Sequence, residues 1–285
     1  MSAQKIFILI CVSLFLISRV SLRAEASTIS ILNSLPIRPG DTLVIGYDST
    51  NTPLKYISLN NEKYYFFGYR EKNRALIPLS PVLSIGEYTL TLDGGNETSQ
   101  SLKIVVSARN EKVIILPLPQ SLGVAPNSLG AVLKKQNLQL ASVAEANSLP
   151  VQFNQNFGLP LANNRYITSR FGEIRRTGSE SIRHLGVDES APRGTRVFAI
   201  NAGKVVAAYA DPIYGNTVII NHGAEISSLY MHLDSISVKN GRELKKGELI
   251  GKVGSSGLAS AAHLHLSIKI KGKSVDPLQF IRDFR

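Results

Sequence analysis

The chain has five histidines, His184, His222, His232, His263 and His265, all in the C-terminal part of its 285 residues. Imidazole titrates near neutral pH and is the commonest protein ligand of metals, so this clustering is the strongest chemical signal in the sequence. In His263-Leu264-His265 the two rings stand two residues apart within the apolar run Leu264, Leu266, Ile268 and Ile270. A strand sends residues i and i+2 to the same face, so both imidazoles are expected on one patch. Upstream, His184-Leu185-Gly186-Val187-Asp188 separates an imidazole from a carboxylate by four positions, again one side of an extended chain, with Gly186 leaving room between them. Two neutral imidazoles and one carboxylate are a ligand set of catalytic zinc, in which three protein groups leave a fourth position for water. Zinc lowers that water's pKa by about eight units, which makes a zinc-bound water the expected nucleophile near neutral pH. An H-x-H pair alone arises by chance in alternating strands, and H-x-x-x-D is weaker still. Joined by a third imidazole in Leu229-Tyr230-Met231-His232-Leu233, in a segment free of cysteine, they predict a metal site.

The elements that must hold these groups read as strands. Short apolar runs recur at 197–199, 204–209, 217–221, 227–232, 248–253 and 263–270, punctuated by glycines, and no helix-length segment shows a helical period. Residues 165–285 are therefore expected to form one almost wholly β domain. A second series, 43–47, 56–59, 63–67, 75–79, 88–92 and 102–106, is broken by Pro39-Gly40-Asp41, Gly86 and Asp93-Gly94-Gly95-Asn96. That spacing predicts a small, immunoglobulin-like β-sandwich over 27–108. It contains no histidine, so a structural or contact role is expected there. Between the two, residues 109–164 form a connector with several prolines and one helix over 129–146, where Leu129, Val132, Leu133, Leu140 and Val143 recur at helical spacing. The fold class is thus mainly all-β. The connector, which ends in Ala162-Asn163-Asn164, is long for a plain loop and is expected to cover the groove of the following domain.

The N-terminus has Lys5, an apolar run over 6–17 and then Ala24-Glu25-Ala26, the pattern of a secretory signal peptide spanning 1–26 and cleaved before Ser27. The apolar run is shorter than the roughly 20 residues that cross a bilayer, so no permanent membrane span is expected after cleavage. Cys11, the one cysteine, lies inside this segment, which excludes disulfides and thiolate metal sites from the mature chain. The formal charge is +11, and loss of Lys5, Arg19, Arg23 and Glu25 lowers it by two to +9. An excess of that size favours an anionic partner. Export and the lack of a basic helix argue against nucleic acid, whereas an anionic envelope polymer satisfies both.

The ordered series Ser169-Arg170-Phe171-Gly172, His184-Leu185-Gly186-Val187-Asp188, Ala191-Pro192-Arg193-Gly194-Thr195, Tyr214-Gly215-Asn216, Asn221-His222-Gly223, Tyr230-Met231-His232-Leu233, Gly254-Ser255-Ser256-Gly257, His263-Leu264-His265 and Asp276-Pro277 resembles the lysostaphin-like, or LytM-type, zinc peptidases that act on peptidoglycan. The likeness covers about residues 167–281. It implies that His184, Asp188 and His265 bind one zinc ion per chain, while His232 and His263 flank the water and the scissile carbonyl; His263 is assigned as base and His232 as oxyanion partner, with the exchange of the two roles as the alternative. It implies an exported endopeptidase, of the periplasm or cell envelope or else extracellular, that hydrolyses peptide cross-links of peptidoglycan. The target is either a D,D cross-link or a glycine bridge, and the context of Arg170 to Arg176 inclines the reading to the direct cross-link of a two-membrane bacterium. The alternative is a weak or inactive relative that activates other wall hydrolases, from which ligands have been lost. All five side chains are present here, which favours the enzyme. His222 is expected to be structural, Tyr230 either to line the groove or to pack, and Arg170 and Arg175 either to pair with a substrate carboxylate or to be plain surface arginines. Ala261-Ala262 replaces the usual Gly-Pro before H-x-H, and Leu266-Ser267 replaces the usual aromatic and Glu after it, so the groove rim and the support of the ligands are expected to differ.

Overall fold

A computed structural model describes residues 21–24, 27–49, 54–93, 100–115, 129–145, 149–162, 166–177 and 180–284. Of the expected signal peptide, residues 1–20, 25 and 26 lie outside this set. The first nine strands are β1 (Ser21–Ala24), β2 (Ser27–Ile31), β3 (Thr42–Ser49), β4 (Tyr56–Leu59), β5 (Glu62–Tyr65), β6 (Phe67–Tyr69), β7 (Lys72–Pro78), β8 (Gly86–Asp93) and β9 (Gln100–Val106). They form two antiparallel sheets, one ordered β1-β2-β3-β7-β6 and one ordered β5-β4-β8-β9. Leu43, Ile45, Ala75 and Ile77 of the first sheet and Ile57, Leu90, Leu92, Leu102 and Ile104 of the second share a single buried cluster. Alternation along β8 and β9 follows from having one face inward. In β3 and β7, by contrast, the apolar residues run consecutively because both faces are covered: Val44 and Leu76 belong not to this cluster but to a second core with Phe153, Phe157 and Phe284. The run 63–67, read as one strand, is two. The chain leaves one sheet after Tyr65 and enters the other at Phe67.

The second half contains β10 (Val113–Ile115), helix α1 (Leu129–Glu145), β11 (Tyr166–Ser169), β12 (Ile174–Thr177), β13 (Glu180–Arg183), β14 (Val187–Ser190), β15 (Arg196–Phe198), β16 (Gly203–Asp211), β17 (Gly215–Gly223), β18 (Ile226–Ile236), β19 (Glu243–Leu244), β20 (Leu249–Val253), β21 (His263–Ile270), β22 (Lys273–Val275) and helix α2 (Pro277–Asp283). Its ten-stranded sheet runs β11-β14-β21-β18-β17-β16-β19, with β20 joined to β18, β15 to β20 and β22 to β21. A separate three-stranded sheet, β10-β12-β13, lies beside it. Val187, Val218, Tyr230, Leu264, Leu266, Ile268 and Phe280 fill the core beneath.

Helix α2 is a short exception in a region expected to be almost wholly β. Asp276 caps it by accepting from the backbone N–H groups of Leu278 and Gln279, and Pro277 stands in its first turn. Seven residues are too short for a period to show, so the Asp-Pro pair was its one local signal. Arg109 ties the two halves together, donating to Asp41 at 2.5 Å, to Asp276 at 2.8 Å and to the Pro39 carbonyl at 2.9 Å.

Helix α1 forms where its spacing predicts and lies across the large sheet. Leu140 packs with Ala207, Ile219, Leu229 and Met231, while Leu138 on the opposite side is 65% exposed. Polar contacts hold it along its length. Glu180 accepts from the Gly130 N–H at 2.9 Å, Lys269 donates to Asn137 at 3.2 Å, and the hydroxyl of Ser227 reaches the Ala144 carbonyl at 3.4 Å. Among the described residues no helix is long and apolar enough to cross a membrane.

Candidate metal centre

The site is assembled by strand pairing and one loop. Asp188 on β14 lies directly opposite His265 on β21, and Ser190 opposite His263. Side chains at directly opposed positions project to the same face, which brings carboxylate and imidazole together across the ladder. His184 stands in the loop before β14, held by its N–H to the Glu173 carbonyl at 2.8 Å and by its own carbonyl accepting from Gly172 at 2.9 Å. The four-residue spacing to Asp188 therefore works through a loop rather than along a continuous strand. Gly186 leaves room, as expected: a Cβ there would lie 2.4 Å from Nε2 of His265.

His184, Asp188 and His265 each offer one ligand atom, all within 4.8 Å of one another. His265 Nδ1 is 2.8 Å from Asp188 Oδ1 and 3.1 Å from His184 Nε2, and His184 Nε2 is 3.2 Å from Asp188 Oδ1. The donor chemistry fits a cation. His184 Nδ1 lies 3.0 Å from the Arg170 carbonyl, which only accepts, so the proton sits there and Nε2 faces the centre with its lone pair. Three atoms suited to accept thus converge with edges of about 3 Å, and a tetrahedral zinc with bonds of about 2.0–2.1 Å has edges of about 3.3 Å. Burial alone would push the Asp188 carboxyl up, but its close contacts with His184 and His265 outweigh burial and hold the group well below the ordinary carboxylate range. Burial drives His265 down to about 4 despite Asp188, so its imidazole is neutral and available as a ligand.

His263 and His232 stand beside this triangle. Nδ1 of His263 donates to the Ala261 carbonyl at 2.9 Å, and its Nε2 lies 3.8 Å from Asp188 Oδ1. Nδ1 of His232 donates to the Ser256 carbonyl at 2.8 Å, and its ring centroid is 4.8 Å from that of His263 and 6.1 Å from that of His265. Burial first, then the neighbouring His265 and His263, lower the His232 pKa to about 3. The neutral His232 therefore presents an unprotonated Nε2, and the Ala261 carbonyl makes Nε2 the acceptor nitrogen of a neutral His263.

His232 reaches the site through a backbone irregularity. Its φ is 60°, the left-handed region that non-glycine residues seldom adopt, and the pairing of β18 with β20 shifts just after it. Met231, opposite His265, and His232 both line the pocket, which strict alternation forbids. The same break resolves Tyr230, which is fully buried on the core side with its hydroxyl accepting from the Ile200 N–H at 3.0 Å. It packs and does not line the groove. His222 is also structural: it is fully buried, 2.7 Å from the Ala202 carbonyl and 2.8 Å from the Ser228 hydroxyl.

The pocket around the five groups, about 480 Å³, has walls that include Ile114, Ile182, Leu258 and, from α1, Leu129, Leu133 and Asn137. The connector does border the site, by its helix; Asn163 and Asn164 lie outside the described residues. Arg175 is not a plain surface arginine, since it donates to Asp188 Oδ2 at 2.5 Å. Arg170, exposed in its side chain, contributes its carbonyl to His184.

Residues 182–277 match peptidase family M23. The outer membrane antigenic lipoprotein B of Haemophilus influenzae is 37% identical over 176 residues, which are 60% of this chain and 42% of that protein. The peptidoglycan DD-endopeptidase ShyB of Vibrio cholerae is 34% identical over 118 residues, 40% of this chain and 28% of that protein. The chain thus spans less than half the length of these curated relatives. A Pseudomonas aeruginosa protein solved as a candidate M23 peptidase superposes with a TM-score of 0.63 at 22% identity, covering 89% of this chain and 98% of that one, a likeness of fold.

Proposed function

We propose, on the match of residues 182–277 to peptidase family M23, that the chain is an exported, zinc-dependent endopeptidase that hydrolyses peptide cross-links of peptidoglycan. The observation that carries this reading is the convergence of His184, Asp188 and His265 within 4.8 Å, flanked by two imidazoles with free Nε2 atoms. Relatives named as DD-endopeptidases and as envelope lipoproteins support the substrate and the envelope location. Strand order in the N-terminal sheets, β2-β3-β7-β6 facing β5-β4-β8-β9, supports an immunoglobulin-like sandwich, in which the matching strands are A-B-E-D and C′-C-F-G.

When bound at His184, Asp188 and His265, zinc supplies Lewis-acid polarisation of a carbonyl and acidifies water. The remaining work falls to the chain. Nε2 of His263, the more open of the two flanking rings, takes the proton released by the attacking water and later returns it to the leaving amine. His232 donates to the oxyanion only when Nε2 is protonated. Burial opposes that form at rest, and negative charge growing on the carbonyl oxygen offsets the opposition. The Ala261 carbonyl fixes His263 in the tautomer its role as base needs, whereas the Ser256 carbonyl holds Nδ1–H of His232, so that ring donates from Nε2 only as an imidazolium. Leu129 and Leu133 of α1 beside the same pocket support a second feature, a latent form in which the helix restricts entry.

The test is purified mature chain assayed for zinc content and for turbidity loss of isolated wall, with mass spectrometry of products from defined muropeptides. Expected are one zinc per chain, cleavage of the cross-link, and loss of both in His265→Ala. Bound zinc without hydrolysis of any wall would support the activator of other hydrolases instead.

A further inference from the structure

The Asp188 carboxylate presents its two oxygens to different partners. Oδ1 faces the imidazoles, 2.8 Å from His265 and 3.2 Å from His184. Oδ2 accepts from Nη2 of Arg175 at 2.5 Å. The same nitrogen donates to Ser169 Oγ at 3.0 Å; that hydroxyl gives its proton to the buried Glu173 at 2.5 Å and lies 3.2 Å from His184 Nδ1. Arg175 therefore touches one of the three ligand residues directly and the support of a second. Its backbone is fixed: it sits on β12, the middle strand of three, opposite Ile114 of β10 and Ile182 of β13. The side chain is only 27% exposed.

We propose that Arg175 is a positioning residue that holds Asp188 to a single-oxygen contact with the cation, a role that rests on the metal reading of this site given above. A carboxylate with both oxygens free can hold a cation through either or both. A charge-assisted hydrogen bond to Oδ2 removes that freedom and leaves Oδ1 alone beside the two imidazole nitrogens. The position a second oxygen would take then stays open for the reaction. Guanidinium suits the task, because it stays charged at every working pH and the two protons of its Nη2 serve Oδ2 and Ser169 at once. The ion pair has one side in the pocket wall, so its loss releases Oδ2 towards the centre rather than into bulk water.

Cobalt(II) in place of zinc reads this contact without reference to turnover, since its visible absorption weakens as coordination rises above four. The mature chain carrying Arg175→Met, which keeps the apolar stem but has no donor, is expected to take up one ion and to lose several-fold in absorption intensity. Arg175→Lys, which restores a charged donor beside Oδ2, recovers most of it. With zinc, kcat falls more than KM rises in Arg175→Met. A wild-type cobalt spectrum in Arg175→Met overturns the proposal. So does a rise in KM alone with that spectrum unchanged, the mark of an arginine that reads a substrate carboxylate. If circular dichroism shows Arg175→Met unfolded, Arg175→Gln carries the same comparison. Wild-type chain that takes up neither cobalt nor zinc overturns the metal reading itself together with this one, whereas a metal-loaded wild type indifferent to Arg175 overturns this one alone.

Discussion

Acidification should destabilise the fold through His222, by an amount that one substitution can isolate. His222 is fully buried, its ring edge-on to Phe157 at 5.2 Å, and burial lowers its pKa from the ordinary 6.5 to about 4, with the Ala202 carbonyl working the other way. That carbonyl only accepts, so Nδ1 carries the proton and Nε2 accepts from the Ser228 hydroxyl; Ser228 in turn lies 3.0 Å from the Tyr230 hydroxyl, which accepts from the Ile200 N–H. The network is satisfied only with a neutral ring. Below pH 6.5 the unfolded chain binds a proton at His222 that the native chain refuses until about pH 4, so stability present above 6.5 is lost as pH falls through this window. At about 1.4 kcal/mol per pH unit the loss amounts to about 3 kcal/mol. Glutamine offers one donor and one acceptor and does not titrate, so His222→Gln is expected to cost about 1–2 kcal/mol at pH 7 through imperfect hydrogen bonds. Its deficit should shrink on acidification, reverse at about pH 5–6 and become an advantage of about 1–2 kcal/mol at pH 4. The assay is urea unfolding followed by circular dichroism from pH 7 to pH 4, with a chelator present so that metal binding does not contribute. Histidines common to both proteins cancel in the difference. Parallel stability curves for wild type and His222→Gln across that range would refute the reasoning.

Two further outcomes follow from the site. Gly186→Ala places a Cβ 2.4 Å from His265 Nε2 and 2.6 Å from the Leu266 carbonyl, backbone that cannot yield, so zinc affinity by chelator competition should fall at least about tenfold; an unchanged affinity would show that the ring is not held by this contact. Leu140→Ala removes the anchor of α1 against Ile219, Leu229 and Met231 and weakens its docking by about 2–5 kcal/mol, so wall hydrolysis should rise several-fold, and an unaltered or lower rate would dispose of the helix as an obstacle.

Local pattern carried a large share of this protein. Period-two runs placed β4 and β21, and the recurrence of Leu129, Val132, Leu133, Leu140 and Val143 placed α1, because both periods are properties of the backbone that any buried face must follow. The pairing of His263 with His265 on one face is legible for the same reason. Other features depend on partners distant in the chain. The split of 63–67 between two sheets, the left-handed turn that swings His232 to the same side as Met231, and the seating of Arg175 on Asp188 leave no periodic trace. Spacing could nominate His184 and Asp188, but only the pairing of β14 with β21 decides that Asp188 meets His265, since register is set by which strands neighbour each other and not by either strand alone. Residue types and periods thus determined the ligand candidates and most elements, while the tertiary structure decided which of them meet, because ligand geometry is a property of contacts between strands far apart in sequence.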